Sequence, residues 1–202
     1  MTTSEIKVLK KFENGIHFTC QMCGECCRGF QEGEVYVFRN DILVLAKHLN
    51  FKGVSGLKKF CQKYLKIVDQ KFYWKDPKTK RGRTYNFQAL GFKFTGDDEH
   101  CEFLGEDSKC TVHQARPFQC RAFPIGWNML INNLRNFRDY SKKCPALQDS
   151  LDNIGKFYSK GEILKWAQKE YEMERNFFLE MKKNDFDIFK VYKFLPKDIT
   201  TL

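Results

Sequence analysis

The sequence predicts an α+β fold: a small cysteine-rich core of short strands and loops, with packed helices and a long C-terminal helix. Three observations predict it. Apolar residues recur at helical spacing over residues 41–68, alternate with polar ones over residues 70–95, and return to helical spacing in the cysteine-free tail after Pro145. The hydrophobic share of 42%, with 20 Phe, is enough to build a core without cross-links.

The first segment, MTTSEIKVLKKFENG, lacks an apolar h-region and a small-residue cleavage site, so no secretory signal is expected. Residues 41–49 then read as a helix capped by Asn40, and residues 55–68 as a second helix with Ser55 as its cap. In the second, Leu57, Phe60, Cys61, Tyr64, Leu65 and Val68 share one face, and Cys61 is therefore expected as a buried core thiol. Residues 71–74 and 83–87 read as strands around the turn DPKTKRG. Residues 101–104 and 110–113 suggest a hairpin pairing Leu104 with Lys109, which would put Cys101 and Cys110 on one face. Pro117 can open a short helical turn carrying Cys120. The tail, with Ile163, Leu164, Ala167, Tyr171, Phe178 and Met181, reads as an amphipathic helix, followed by an aromatic segment over 186–195. Two regions are expected: residues 1–150 as a cysteine-cluster metal-binding domain, and residues 151–202 as a helical extension packed on it.

The chemistry lies in the cysteines. CQMCGECCRG, residues 20–29, chains Cys20-x-x-Cys23 to Cys23-x-x-Cys26 and adds Cys27. Cys-x-x-Cys is a tight turn that lets two thiolates reach one metal, and Gly24 supplies backbone freedom. Adjacent cysteines usually diverge, so one of Cys26 and Cys27 is expected to serve a second centre or another iron of a cluster. Cys101, Cys110, Cys120 and Cys144 complete the candidate ligand set, with His113 a candidate ligand or general base. Arg28, Arg116 and Arg121 sit near these cysteines in sequence, where a cation favours thiolate. An odd count of nine cysteines in a chain without a secretory signal reads as metal ligation in a reducing cytoplasm, not as a disulfide framework.

Together these residues resemble a known family. His17-Phe18-x-Cys20-x-x-Cys23-Gly24-x-Cys26-Cys27-Arg28, Cys101-x-Phe-Leu, Cys110-x-x-His113, Arg116-Pro117-x-x-Cys120-Arg121-x-Phe123-Pro124 and Cys144-Pro145 are similar to the YkgJ-type cysteine-cluster proteins, described as zinc- or iron-chelating CxxCxxCC proteins. The resemblance spans roughly residues 15–150 and departs at Cys144-Pro145-Ala146, where Cys-Pro-Gly is expected. It implies small cytoplasmic proteins that bind zinc or iron. The flagellin lysine-N-methylases, which carry a similar cysteine cluster, give one enzymatic precedent.

Three function classes follow. The first is a metal-binding protein holding zinc or an iron–sulfur centre. The second is an enzyme using that centre, such as a protein-lysine N-methyltransferase or a redox enzyme. No Gly-rich cofactor loop or acid–base pair marks it, and Asp97-Asp98-Glu99 reads as a solvated turn. The third is a nucleic-acid-binding module using the aromatics and basic residues of 71–85. The formal net charge of +10 argues only weakly for it, since eight thiolates and two divalent ions would bring the holo-protein to about +6. No apolar run approaches the roughly 18 residues of a membrane span. The metal-binding reading is the most specific.

Overall fold

A long hairpin and a long helix hold the rest of the chain in position. The computed structural model describes residues 6–28, 34–96 and 99–199. Asp97 and Asp98, read from sequence as a turn, lie outside them, as do residues 1–5.

The hairpin is β2 (Leu65–Lys75) against β3 (Gly82–Phe92), antiparallel from Leu65↔Phe92 to Lys75↔Gly82. The predicted turn closes it. Asp76 Oδ1 accepts the backbone N–H groups of Lys78 and Thr79, at 2.8 and 2.9 Å. Two smaller antiparallel pairs flank it: β1 (Ile16–His17) with β6 (Phe157–Tyr158), and β4 (Phe94–Thr95) with β5 (His100–Cys101). With the helices segregated from these small sheets, the fold is α+β.

Helix α1 (Arg39–His48) starts from Phe38 rather than from the expected Asn40 cap. Its cap is supplied from inside. Asp41, buried, accepts the Phe38 N–H at 3.2 Å through Oδ2 and the Phe118 N–H at 2.9 Å through Oδ1. Helix α2 (Gly53–Tyr64) follows Lys52 instead of Ser55, and it stops earlier than the apolar stripe implies. Leu65 and Val68 belong to β2, where they pair with Phe92 and Ala89. The stripe fits both periods over so short a run, and the strand partner decides.

Short helices follow: α3 (Phe118–Ala122), α4 (Asn128–Ile131), α5 (Leu134–Ser141) and α6 (Pro145–Asp149). Then α7 (Lys160–Lys183) runs the length of the fold, and α8 (Ile188–Val191) caps its end. Ser159 and Glu162 form a reciprocal capping box at the start of α7. Its apolar face serves two clusters of buried side chains. Ile163 joins Phe12, Ile125, Met129, Phe137 and Leu147, while Phe177, Phe178 and Met181 join α1, α2 and the hairpin. Phe178 is the hub of the second, with ring centroids 5.0 Å from both Phe72 and Tyr85 and 5.6 Å from Trp74. The strand aromatics considered for nucleic-acid stacking are thus largely committed to packing; Tyr73 alone among residues 71–74 projects its ring outward, at 50% exposure. Cys61 is fully buried, as expected, and burial pushes its thiol up to about 12.

Candidate metal centre

The centre is assembled from four pieces of chain that have little regular structure of their own. The first is the arm after β1, which is pinned twice to Lys156. Phe18 N–H donates to the Lys156 carbonyl at 2.8 Å, and Thr19 Oγ1 accepts the Lys156 N–H at 3.0 Å. Beyond it, Gly24 stands at φ 78° and opens a 3-10 turn over Glu25–Cys27. A side chain at Gly24 would collide with the Ser108 carbonyl oxygen and with Leu104. That position therefore needs glycine twice over, for its backbone angle and for space.

The second piece, residues 101–110, departs from the expected hairpin. Leu104 bridges Cys110 rather than Lys109, a register shift of one. Cys101 nevertheless reaches the same side as Cys110, because a turn (Leu104 N–H to Cys101 carbonyl, 2.8 Å) breaks strand parity between them. The third is α3, which Pro117 precedes as expected and which carries Cys120 in its middle. The fourth is Cys144, at the N-cap of α6 with Pro145 following it.

These pieces enclose one cavity of about 80 Å³ whose wall includes Cys20, Cys23, Cys26, Cys27, Cys101, Cys110, Cys120 and Cys144, together with His113 and Arg116. Cys61 is not in that wall. Of the three arginines near the cysteines in sequence, Arg116 lines the cavity, while Arg28 donates to Ser108 Oγ at 2.9 Å and Arg121 lies over the Phe118 ring. His17, His48 and His100 sit elsewhere, on β1, α1 and β5. The cavity lies where the two apolar clusters meet, with Phe18 and Ala146 from one and Phe92, Phe103 and Val112 from the other.

Electrostatics in the cavity oppose bare thiolates. Contact with Cys27 pushes the Cys26 thiol well up, although Cys26 itself is exposed. Burial pushes Cys101 and Cys144 to about 11, and raises Cys120 strongly. Neighbouring thiols add to each shift, and Arg116 is the cation that opposes those of Cys26, Cys110 and Cys120. A group of thiols that destabilise one another's anions is suited to a metal cation, which would hold them deprotonated. Two further observations fit a metal. The Cys26 and Cys27 sulfurs stand 4.0 Å apart and both face the cavity, so the expected divergence of the pair does not occur. Two thiolates on one tetrahedral zinc, at about 2.3 Å each, are separated by about 3.8 Å. His113 Nε2 is buried without a hydrogen-bond partner among the described residues. Within those residues no three His, Cys, Asp or Glu side chains stand together at coordination distance.

A family model named CxxCxxCC, described as "Putative zinc- or iron-chelating domain", matches residues 19–176. The chain belongs to this family. The CxxCxxCC match supports metal binding as the general function. It runs further than the cysteine pattern does, past residue 150 and through most of α7. No solved structure matches the chain. Among the described residues no helix is long and apolar enough to cross a membrane.

A second cavity, of about 420 Å³, shares Cys26, Val35 and Trp127 with the first. Glu170 and Glu174 of α7 face into it, and reasoning from sequence missed both. Their spacing of four residues, one on each side of Tyr171, was the available signal.

Proposed function

We propose that this protein is a metal-binding protein of the CxxCxxCC family that holds zinc or iron in a polynuclear thiolate centre. Cys20, Cys23, Cys26, Cys27, Cys101, Cys110, Cys120 and Cys144 are its ligands, and His113 is an additional candidate donor. The observation that carries this reading is the single cavity whose wall includes every one of these cysteines and leaves out Cys61. Eight thiolates exceed what one tetrahedral ion can use, which supports more than one metal ion or an iron–sulfur cluster. Zinc closed off by thiolates would bind the surrounding segments together, and an iron–sulfur cluster would supply one-electron chemistry. Residues 1–150 contribute all the ligands, and residues 151–202 pack against them. Nine free thiols suit a reducing compartment, and we infer the cytoplasm.

The test is metal content after purification without air. A brown protein whose visible absorption bleaches on reduction identifies iron–sulfur, and a colourless one with stoichiometric zinc identifies zinc. Cys23→Ser and Cys120→Ser should each lose metal, because a hydroxyl is a far poorer soft-metal ligand than a thiolate. Full metal retention in both variants would overturn the assignment.

A further inference from the structure

Metal binding leaves the larger cavity unexplained. At about 420 Å³ it falls in the size class of small-molecule sites, roughly 300–1,000 Å³. The rings of Tyr36, Phe118, Trp127 and Tyr171 contribute to its walls, and one face of α7 supplies the carboxyl groups of Glu170 and Glu174. Carboxylates one helical turn apart repel and weaken the helix that carries them. Here they are also partly enclosed. Burial raises Glu174 to about 7, and burial followed by the charge of Glu174 raises Glu170 to about 8.

A pair of fully solvated surface glutamates would need no further account, but these are half-buried and unmatched. Neither makes a hydrogen bond or ion pair among the described residues, and no Lys or Arg stands among the described lining residues. Glu34, also in the wall, has its charge paired with Lys66 at 2.9 Å through Oε1, while its buried Oε2 has no hydrogen-bond partner among the described residues. The missing element is a positive charge. A hard metal ion would use only the oxygens of this wall, since calcium takes about six to eight oxygen ligands, and would leave seven aromatic side chains among the twenty described lining residues unused. An organic cation uses both features, with carboxylates for its charge and ring faces for its body.

We propose that this cavity binds a small organic cation, an alkylammonium whose charge rests between Glu170 and Glu174 and whose stem lies against Tyr36, Trp127 and Tyr171. Because Cys26 and Trp127 belong to the walls of both cavities, the ligand sits beside the thiol cluster. The ammonium group can come from a free amine or from a lysine side chain of another protein.

The experiment is isothermal titration of the metal-loaded protein at mildly alkaline pH. One arm uses 1,5-diaminopentane, the other a short end-blocked peptide with a single lysine, and 1,5-pentanediol is the neutral control. Saturable one-to-one binding is expected for at least one amine and not for the diol. The Glu170→Gln/Glu174→Gln variant should weaken it by at least about tenfold. That variant should keep its metal and melt no lower than the parent, so lost binding reports the site and not the fold. Binding of the diamine points to a free amine as the source, and binding of the peptide alone points to a protein lysine. The proposal is overturned by no saturable binding of either amine up to about 10 mM, by undiminished affinity in the variant, or by Mg²⁺ or Mn²⁺ saturating the pair where amines do not.

Discussion

Replacing Asp41 with asparagine should loosen the joint between the start of α1 and the helix that carries Cys120. The carboxylate is 3% exposed and accepts two backbone N–H groups, from Phe38 at 3.2 Å and Phe118 at 2.9 Å. Asparagine keeps the shape, but its one oxygen can accept only one of them, and its NH₂ meets the other donor head on. A lost bond to a charged acceptor costs about 1.5–3 kcal/mol, and the stranded N–H about 1–3 kcal/mol. Part of this is offset, because burial raises the Asp41 pKa and a neutral amide avoids that desolvation. A net loss of about 2–3 kcal/mol remains. For a chain of this size each kcal/mol moves the melting midpoint by roughly 2–4 °C, so a fall of about 4–12 °C is expected in thermal circular dichroism with metal in excess. Phe118 begins α3, so metal release to a chromogenic chelator should also quicken. A midpoint within about 1 °C of the parent would refute the bridging role. A lower midpoint with unchanged release would refute its link to the centre.

Cys61→Ala should leave metal content intact and cost on the order of 1 kcal/mol, because Cys61 lies outside the cavity wall; metal loss in that variant would place it among the ligands. Phe178→Ala removes a fully buried ring from the aromatic cluster of β2, β3 and Phe186, and denaturant titration should show a loss of about 3–5 kcal/mol. Chelating the metal under reducing conditions should lower the melting midpoint, and an unchanged curve would make the metal peripheral to the fold. Glu170 and Glu174 are raised in the fold to about 8 and about 7 from the ordinary 4.5. The folded state therefore keeps protons that the unfolded chain releases. Their contribution to stability is full below pH 4.5 and is lost as pH rises through 7 to 8, with Glu34 and Tyr36 facing the same cavity. Urea midpoints at about pH 6 and about pH 8.5 should differ less in the Glu170→Gln/Glu174→Gln variant than in the parent.

Much of this was legible in the sequence wherever local pattern decides. The turn at residues 76–81, the long tail helix and the burial of Cys61 follow from periodicity and turn chemistry alone. The Cys-x-x-Cys spacings of Cys20, Cys23 and Cys26 likewise mark a tight turn, whereas Cys101, Cys110, Cys120 and Cys144 are widely spaced and reach the same cavity wall only through the fold. The misses arise where distant chain decides. Leu65 and Val68 continue a helical stripe, and only Phe92 and Ala89 across the hairpin turn them into strand residues. The pairing of Leu104 with Cys110 depends on how residues 101–104 turn, which alternation cannot encode. The turn that carries Cys26 and Cys27 opens at Gly24, which passes close under Ser108 across more than 80 residues. Glu170 and Glu174 resemble any polar helix face until residues 34–38 and 118–140 enclose them.

The spread of the cavity wall along the chain sets an order of events during synthesis. Cys20, Cys23, Cys26 and Cys27 are finished 117 residues before Cys144 is added to Cys27's chain. At about 5–20 residues per second, that is roughly 6–23 s in which the first motif exists without its far wall. Early in that interval the arm stands alone, and Cys101, Cys110 and Cys120 join it before Cys144 does. The cavity wall is complete only when the start of α6 arrives, so a nascent chain stalled before residue 144 carries the recognisable motif without that side of the wall.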